Sequence, residues 1–156
     1  EGRQDRVAPA ERALRRALVE RPGHPIARAE RAIVRQVAMW RRRATPLERT
    51  DALALFGRAV DANPAWWETW FYLGRLMRTP GWKGHDLGRA VGAFDRALTL
   101  KPDHAWSLTG RATCHLERGR PELAEADARR AMDLVPSLVD ARTLLDRALR
   151  AQGKRE

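Results

Sequence analysis

The stretch AVGAFDRALTLKPDHAW, Ala90 to Trp106, decides how the chain is read. Ala90, Phe94 and Ala97 fall at i, i+4 and i+7, one face of a helix, and the pattern stops at Pro102. Proline has no N–H to donate and holds the preceding residue out of the helical region, so the helix cannot run on. What matters is whether this amphipathic segment stands alone or recurs.

It recurs. Ala124, Ala128, Ala131 and Pro136 repeat the pattern 34 residues later. Ala52, Phe56, Ala59 and Pro64 precede it by 38, and Ala10, Leu14, Ala17 and Pro22 precede those by a further 42. The steps differ by about one helical turn, so the extra length fits as a turn or loop without rotating the helix faces. All of it lies between a proline and the next Ala-x3-Phe, never inside it.

A second helical pattern precedes the repeated one. Trp70, Leu73, Gly74 and Met77 lie at i, i+3, i+4 and i+7. Trp-x2-Leu-Gly-x2-Met followed by Ala-x3-Phe-x2-Ala-x4-Pro resembles the tetratricopeptide repeat, whose signature is W-x2-L-G-x2-Y, A-x3-F and P. The resemblance runs from about Ala10 to Leu149 and is strongest over Trp67–Pro102. The unit Ala105–Pro136 places Leu108, Arg111, Ala112 and His115 at the Trp, Leu, Gly and Tyr positions, and Pro25–Pro64 has Arg28 and Arg31 at apolar ones.

Independently of any family, small Gly74, Ala112, Ala32, Ala90 and Ala97 let paired helices approach, while Trp70 and Phe94 fill the space between them. Thr45-Pro46-Leu47-Glu48 reads as a capping box with proline at the first helical position. Leu138–Ala151 reads as a closing helix that ends before Gly153. A single hairpin cannot bury both faces, so neighbours must stack.

The expected fold is therefore all-α: a right-handed superhelical solenoid of antiparallel helix pairs, with about three and a half repeats and a C-terminal capping helix. The divisions are a half repeat over 1–22, repeats over 23–64, 65–102 and 103–136, and a capping helix over 137–151, about eight helices in one domain. The missing initiator Met and an opening like the tail of a longer pattern suggest a piece of a larger protein; processing would look the same.

The resemblance implies a concave groove, lined by the first helix of each pair, that receives a peptide. With Trp70, Leu73, Gly74 and Met77 buried, Phe71, Arg75 and Arg78 lie about 110° round the helix and form the stripe that faces the groove. The repeat register carries this stripe to Ala29, Ile33 and Gln36 and to Thr109, Thr113 and Leu116, with Trp40 and Trp106 flanking it. Such a groove suits a partner presenting a carboxylate beside an apolar side chain. Relatives that grip acidic chaperone tails use a Lys and Asn set where this chain has Ala29, Ile33, Tyr72, Trp106 and Gly110, so that specificity is not expected. Trp82, in the inserted loop Thr79–Gly88, is either a further contact or a plug on the helix ends.

Net charge is +10, from 30 Lys+Arg against 20 Asp+Glu. The first 64 residues carry 14 and 8 of these and the rest 16 and 12, so neither half is a basic tail. The Arg-rich faces leave nucleic acid or another polyanion as an alternative partner, and the incomplete first repeat leaves self-association as another. Acidic residues interleaved along nearly every helix speak against the polyanion. No phosphate-cradling glycine loop, nucleophile elbow or metal-ligand pair is present, so neither catalysis nor a cofactor or metal is expected. Cys114, the only cysteine, sits in an apolar helical pattern and reads as core. No run approaches the roughly 18–20 apolar residues of a membrane span, and a cytoplasmic protein is expected.

Overall fold

A computed structural model describes residues 53–154 except 55, 58, 62, 63 and 82. Ile33, Gln36, Trp40, Trp82 and the Thr45–Glu48 capping box lie outside the described residues. Five helices are bounded: α1 Trp67–Arg78, α2 Leu87–Leu100, α3 Ala105–Glu117, α4 Pro121–Leu134 and α5 Val139–Ala151. Residues 53, 54, 56, 57 and 59–61 are helical as well, and Phe56 and Ala59 are fully buried. The described residues contain no strand, and none of their helices is long and apolar enough to cross a membrane.

Local chemistry sets the boundaries. The Asp86 carboxylate accepts the Arg89 N–H at 2.9 Å and caps α2. Proline opens α4 at its first turn, where a missing N–H costs nothing. Pro102 and Pro136 each follow a helix end by two residues, as the repeat pattern requires. Two ends need glycine: Gly119 (φ 70°) and Gly153 (φ 72°) take the left-handed conformation. The next N–H then reaches back five residues in each case, Arg120 to the His115 carbonyl at 2.8 Å and Lys154 to that of Leu149 at 2.9 Å.

The helices pack as a stack of antiparallel pairs. Each lies mainly against its neighbour in sequence, and α1 also touches α3, and α3 touches α5. The alanines of the repeated pattern make this possible: Ala90, Ala97, Ala124, Ala128 and Ala131 are all fully buried. Phe94 on α2, also fully buried, wedges between α1 and α3. A methyl group built on Gly74 would sit 3.0 Å from its ring, and one built on Gly110 would sit 2.5 Å from it, so both helices must present bare backbone there. Gly74 fills the small position read from sequence; Gly110 is a second socket for the same ring.

One sequence expectation changes in part. Trp70 fills the hairpin interior only in part, packing against the cluster that holds Leu73 and Phe94. It is half-buried at the edge, donating its indole N–H to the Pro64 carbonyl at 2.9 Å, with the Arg96 guanidinium over its ring at 5.7 Å. One carboxylate lies inside the stack, since Asp127 is only 6% exposed. Arg111, in the register position held by Leu73 one unit earlier, grips it through two hydrogen bonds of 2.8 and 2.6 Å and reaches exposed Asp95 with another of 2.6 Å. This pairing drives the guanidinium pKa above its ordinary value, chiefly through the Asp127 hydrogen bonds. His115 stands 4.0 Å from the same carboxylate, and burial lowers its pKa.

Cys114 is fully buried in the cluster with Phe71, Leu76 and Phe94, and burial pushes its thiol pKa up to about 12. Glu125 and Arg129 form an i,i+4 pair at 3.0 Å. Glu125 also accepts from Gln152 at 2.8 Å and Lys154 at 3.3 Å, tying the segment after α5 back onto α4.

Candidate functional site

Helices α1, α3 and α5 line a groove of about 560 Å³. From α1 come Phe71, Arg75 and Arg78; from α3, Trp106, Thr109, Gly110 and Thr113; from α5, Asp140, Thr143, Leu144 and Arg147. Of the seven stripe and flanking residues read from sequence that lie among the described ones, the structure brings six together, Phe71, Arg75, Arg78, Trp106, Thr109 and Thr113, while Leu116 packs instead against the cluster of Ala112, Leu144 and Leu145. It adds Gly110 and four residues of α5. Thr143 and Arg147 lie 34 residues beyond Thr109 and Thr113, so the repeat step carried one unit further would have found them.

The lining is polar and apolar in distinct ways. Phe71 is only 7% exposed, so it forms part of the floor rather than an open contact. Trp106 stands at the rim, 51% exposed. Each groove threonine donates its hydroxyl back to its own helix: Thr109 to the Trp106 carbonyl at 3.0 Å, Thr113 to Thr109 at 2.9 Å and Thr143 to Val139 at 3.0 Å. Their donors are spent, and a ligand meets methyl groups and acceptor lone pairs. The charged donors of the lining are therefore Arg75, Arg78 and Arg147, set against one carboxylate, Asp140.

Arg75 lies over the rings of Phe71 and Tyr72, at 5.4 and 5.9 Å. Burial, with Arg78 close by, lowers its pKa to about 10, which leaves it cationic at neutral pH while making an approaching anion more welcome. Arg78 has its Nε buried without a hydrogen-bond partner. A guanidinium in that state gains most from a ligand that accepts.

Beside the groove, His104 at the N-terminus of α3 knits the aromatic side chains together. Its ring lies 4.3 Å from Trp67, 4.7 Å edge-on to Phe71 and 5.6 Å from Trp106, and its Nδ1 shares a 2.7 Å hydrogen bond with Ser107 Oγ. Burial, reinforced by Lys101, lowers its pKa to about 4. A depressed histidine favours the folded state fully above its unfolded pKa of about 6.5, and that contribution fades as pH falls toward the folded value. Urea denaturation at pH 7, 5.5 and 4 is expected to show up to about 3 kcal/mol of stability lost on this account over that window. His104→Gln should flatten the slope; an unchanged slope would refute the assignment.

Among the described residues, no group of three or more His, Cys, Asp or Glu is placed to hold a metal ion. The lining combines an aromatic rim, an apolar floor and three guanidiniums.

Residues 82–139 match a family model described as tetratricopeptide repeat. A search of curated protein sequences found no match. Among solved structures, the chain is similar to MamA, at 15% identity and a TM-score of 0.77 over 96% of this chain and 75% of that one. It is similar to YrrB, described as a TPR protein with an unusual peptide-binding site, at 18% identity and 0.74 over 90% and 66%. It is also similar to TTC0263, a thermophilic TPR protein of Thermus thermophilus, at 22% identity and 0.69 over 92% and 73%. At such identities the likeness is one of fold, and the fold is the all-α tetratricopeptide-repeat solenoid.

Proposed function

We propose that this tetratricopeptide-repeat chain is a non-catalytic interaction scaffold whose groove receives a peptide or protein segment presenting a carboxylate beside an apolar side chain. Proteins of the family generally act as scaffolds rather than catalysts, and YrrB, of the same fold, is described as binding a peptide. The observation that carries the reading is the convergence of Arg75, Arg78 and Arg147 with Phe71 and Trp106 on one groove. An extended or helical segment could bury an apolar side chain on the rim while its carboxylate meets the guanidiniums.

Phe71 is part of the core, so its removal would confuse binding with folding. The test therefore uses Trp106→Ala with Arg78→Gln, two side chains at the groove surface. Partner capture by the double variant is expected to fall at least tenfold, from the loss of an aromatic anchor and a charge-assisted hydrogen bond, with the circular dichroism melting curve unchanged. Full binding by a folded double variant would end the proposal.

The polyanion reading draws less support. Arg111, Arg129 and Arg150 are each engaged by carboxylates, and Arg130 donates to the Pro102 carbonyl at 3.0 Å. A salt series separates the two: raising salt from 50 to 200 mM should weaken a polyanion by orders of magnitude and a peptide held by the groove by about threefold.

A further inference from the structure

The three lining helices present their stripes in one register. Glu68 and Asp140 stand in the first turns of α1 and α5, with Trp106 at the matching position of α3 between them. Two turns further along lie Arg75 and Arg147, with Arg78 beyond. Alternate helices in a stack of antiparallel pairs point the same way, so Asp140 of the lining, with Glu68 at the matching level of α1, marks one end of the groove and the guanidiniums the other. Seven residues of helix separate the two levels by about 10 Å.

Helix dipoles favour acidic first turns and basic last turns in any protein. They do not account for what else is present. Glu68 Oε2 and Arg78 Nε, opposite in charge and ten residues apart on one stripe, are both buried without a hydrogen-bond partner. Neither Asp140 nor Arg147 takes part in an ion pair among the described residues. Trp106, on the helix between α1 and α5 in the lining, is left half exposed and shares that lining with Asp140. An exposed indole that shares a groove lining with a carboxylate is a seat for an ammonium or guanidinium.

We infer that the groove is bipolar and that its occupant is a peptide segment carrying a basic and an acidic side chain about 10 Å apart. The basic residue also makes the apolar contact, laying its aliphatic stem on Trp106 and its charge toward the end marked by Asp140 and Glu68, and the acidic group meets Arg75, Arg78 and Arg147. A helical segment meets both ends with charges about seven residues apart, an extended one with charges about three apart. This rests on the groove being the binding site and adds the second charge and its spacing.

The test selects a random dodecapeptide library on the unmodified chain, then measures enriched peptides by fluorescence anisotropy against Glu68→Gln/Asp140→Asn and against Asp140→Asn alone. Asp140 is exposed, so the single variant keeps its fold whatever the fate of the double. Enriched peptides are expected to pair Lys or Arg with Asp or Glu at one of those spacings. The double variant should bind them about tenfold more weakly and the single variant about threefold. A control peptide with its basic residue changed to Glu should bind the double variant at least as well as it binds the unmodified chain. Enrichment without a basic residue, or undiminished binding by both variants, overturns the inference; loss of those same peptides on Trp106→Ala/Arg78→Gln would leave the groove itself standing. Peptides that survive Trp106→Ala/Arg78→Gln, or no enrichment at all, overturn both readings.

Discussion

Replacing Phe94 with alanine is expected to cost the protein about 3–5 kcal/mol, the range for removing a buried aromatic ring whose surroundings relax only in part. Its ring is the piece around which α1, α2 and α3 are fitted: it is fully buried, and two glycines from different helices face it. Collapse would require two helices to move together against α2, so the upper part of the range is expected. The reciprocal change probes the same contact from the other side. Alanine ordinarily improves a helix by about 1 kcal/mol over glycine. Gly110→Ala should instead destabilise by about 1–3 kcal/mol, because its methyl would lie 2.5 Å from a ring with nowhere to go. Gly74→Ala, at 3.0 Å, should cost less. Phe94→Leu should recover part of the Gly110→Ala loss in a double-mutant cycle read by urea denaturation. Additive losses would show that the ring and the glycines do not interlock.

The second large effect concerns Arg111. Arg111→Ala is expected to destabilise by about 3–5 kcal/mol, because Asp127 would be left buried and ionised with no partner. Replacing both members by apolar residues, Arg111→Leu with Asp127→Ala, should restore most of the loss, since no charge is then stranded. The leucine would also recreate the side chain that the preceding unit places there as Leu73. Chemical denaturation of the two singles and the double decides the matter. A mild Arg111→Ala phenotype would mean that Asp127 finds water or His115 instead.

How much of this was legible follows from the range of each interaction. The repeat pattern located the helices because its signals are local: a small residue every turn or so on one face, and a proline after each end. The groove stripe was legible for the same reason, since a helical wheel and a fixed step suffice to place Phe71, Arg75, Arg78, Thr109 and Thr113 on matching faces. The wheel could not show that Phe71 would be covered, because His104 and Phe94 reach it from other helices. Nor could it show that Arg111 would be matched by an aspartate 16 residues away on the next helix, a spacing that no i,i+4 rule contains. Asp140, Thr143 and Arg147 escaped because Leu138–Ala151 was read as a closing helix, although the step of 34 carries the stripe into it. Gly110 hid for a simpler reason: the small position expected on α3 was Ala112, and only the ring of Phe94 shows that a second one was needed.

The single sulfhydryl of the chain has a practical meaning. Cys114 is enclosed by the packed helices and held in its unreactive protonated form. A fluorophore can therefore be attached at an introduced surface cysteine without first removing the native one. Left unlabelled, the native thiol becomes a clock: the rate at which a disulfide reagent reaches it measures how often the stack breathes open.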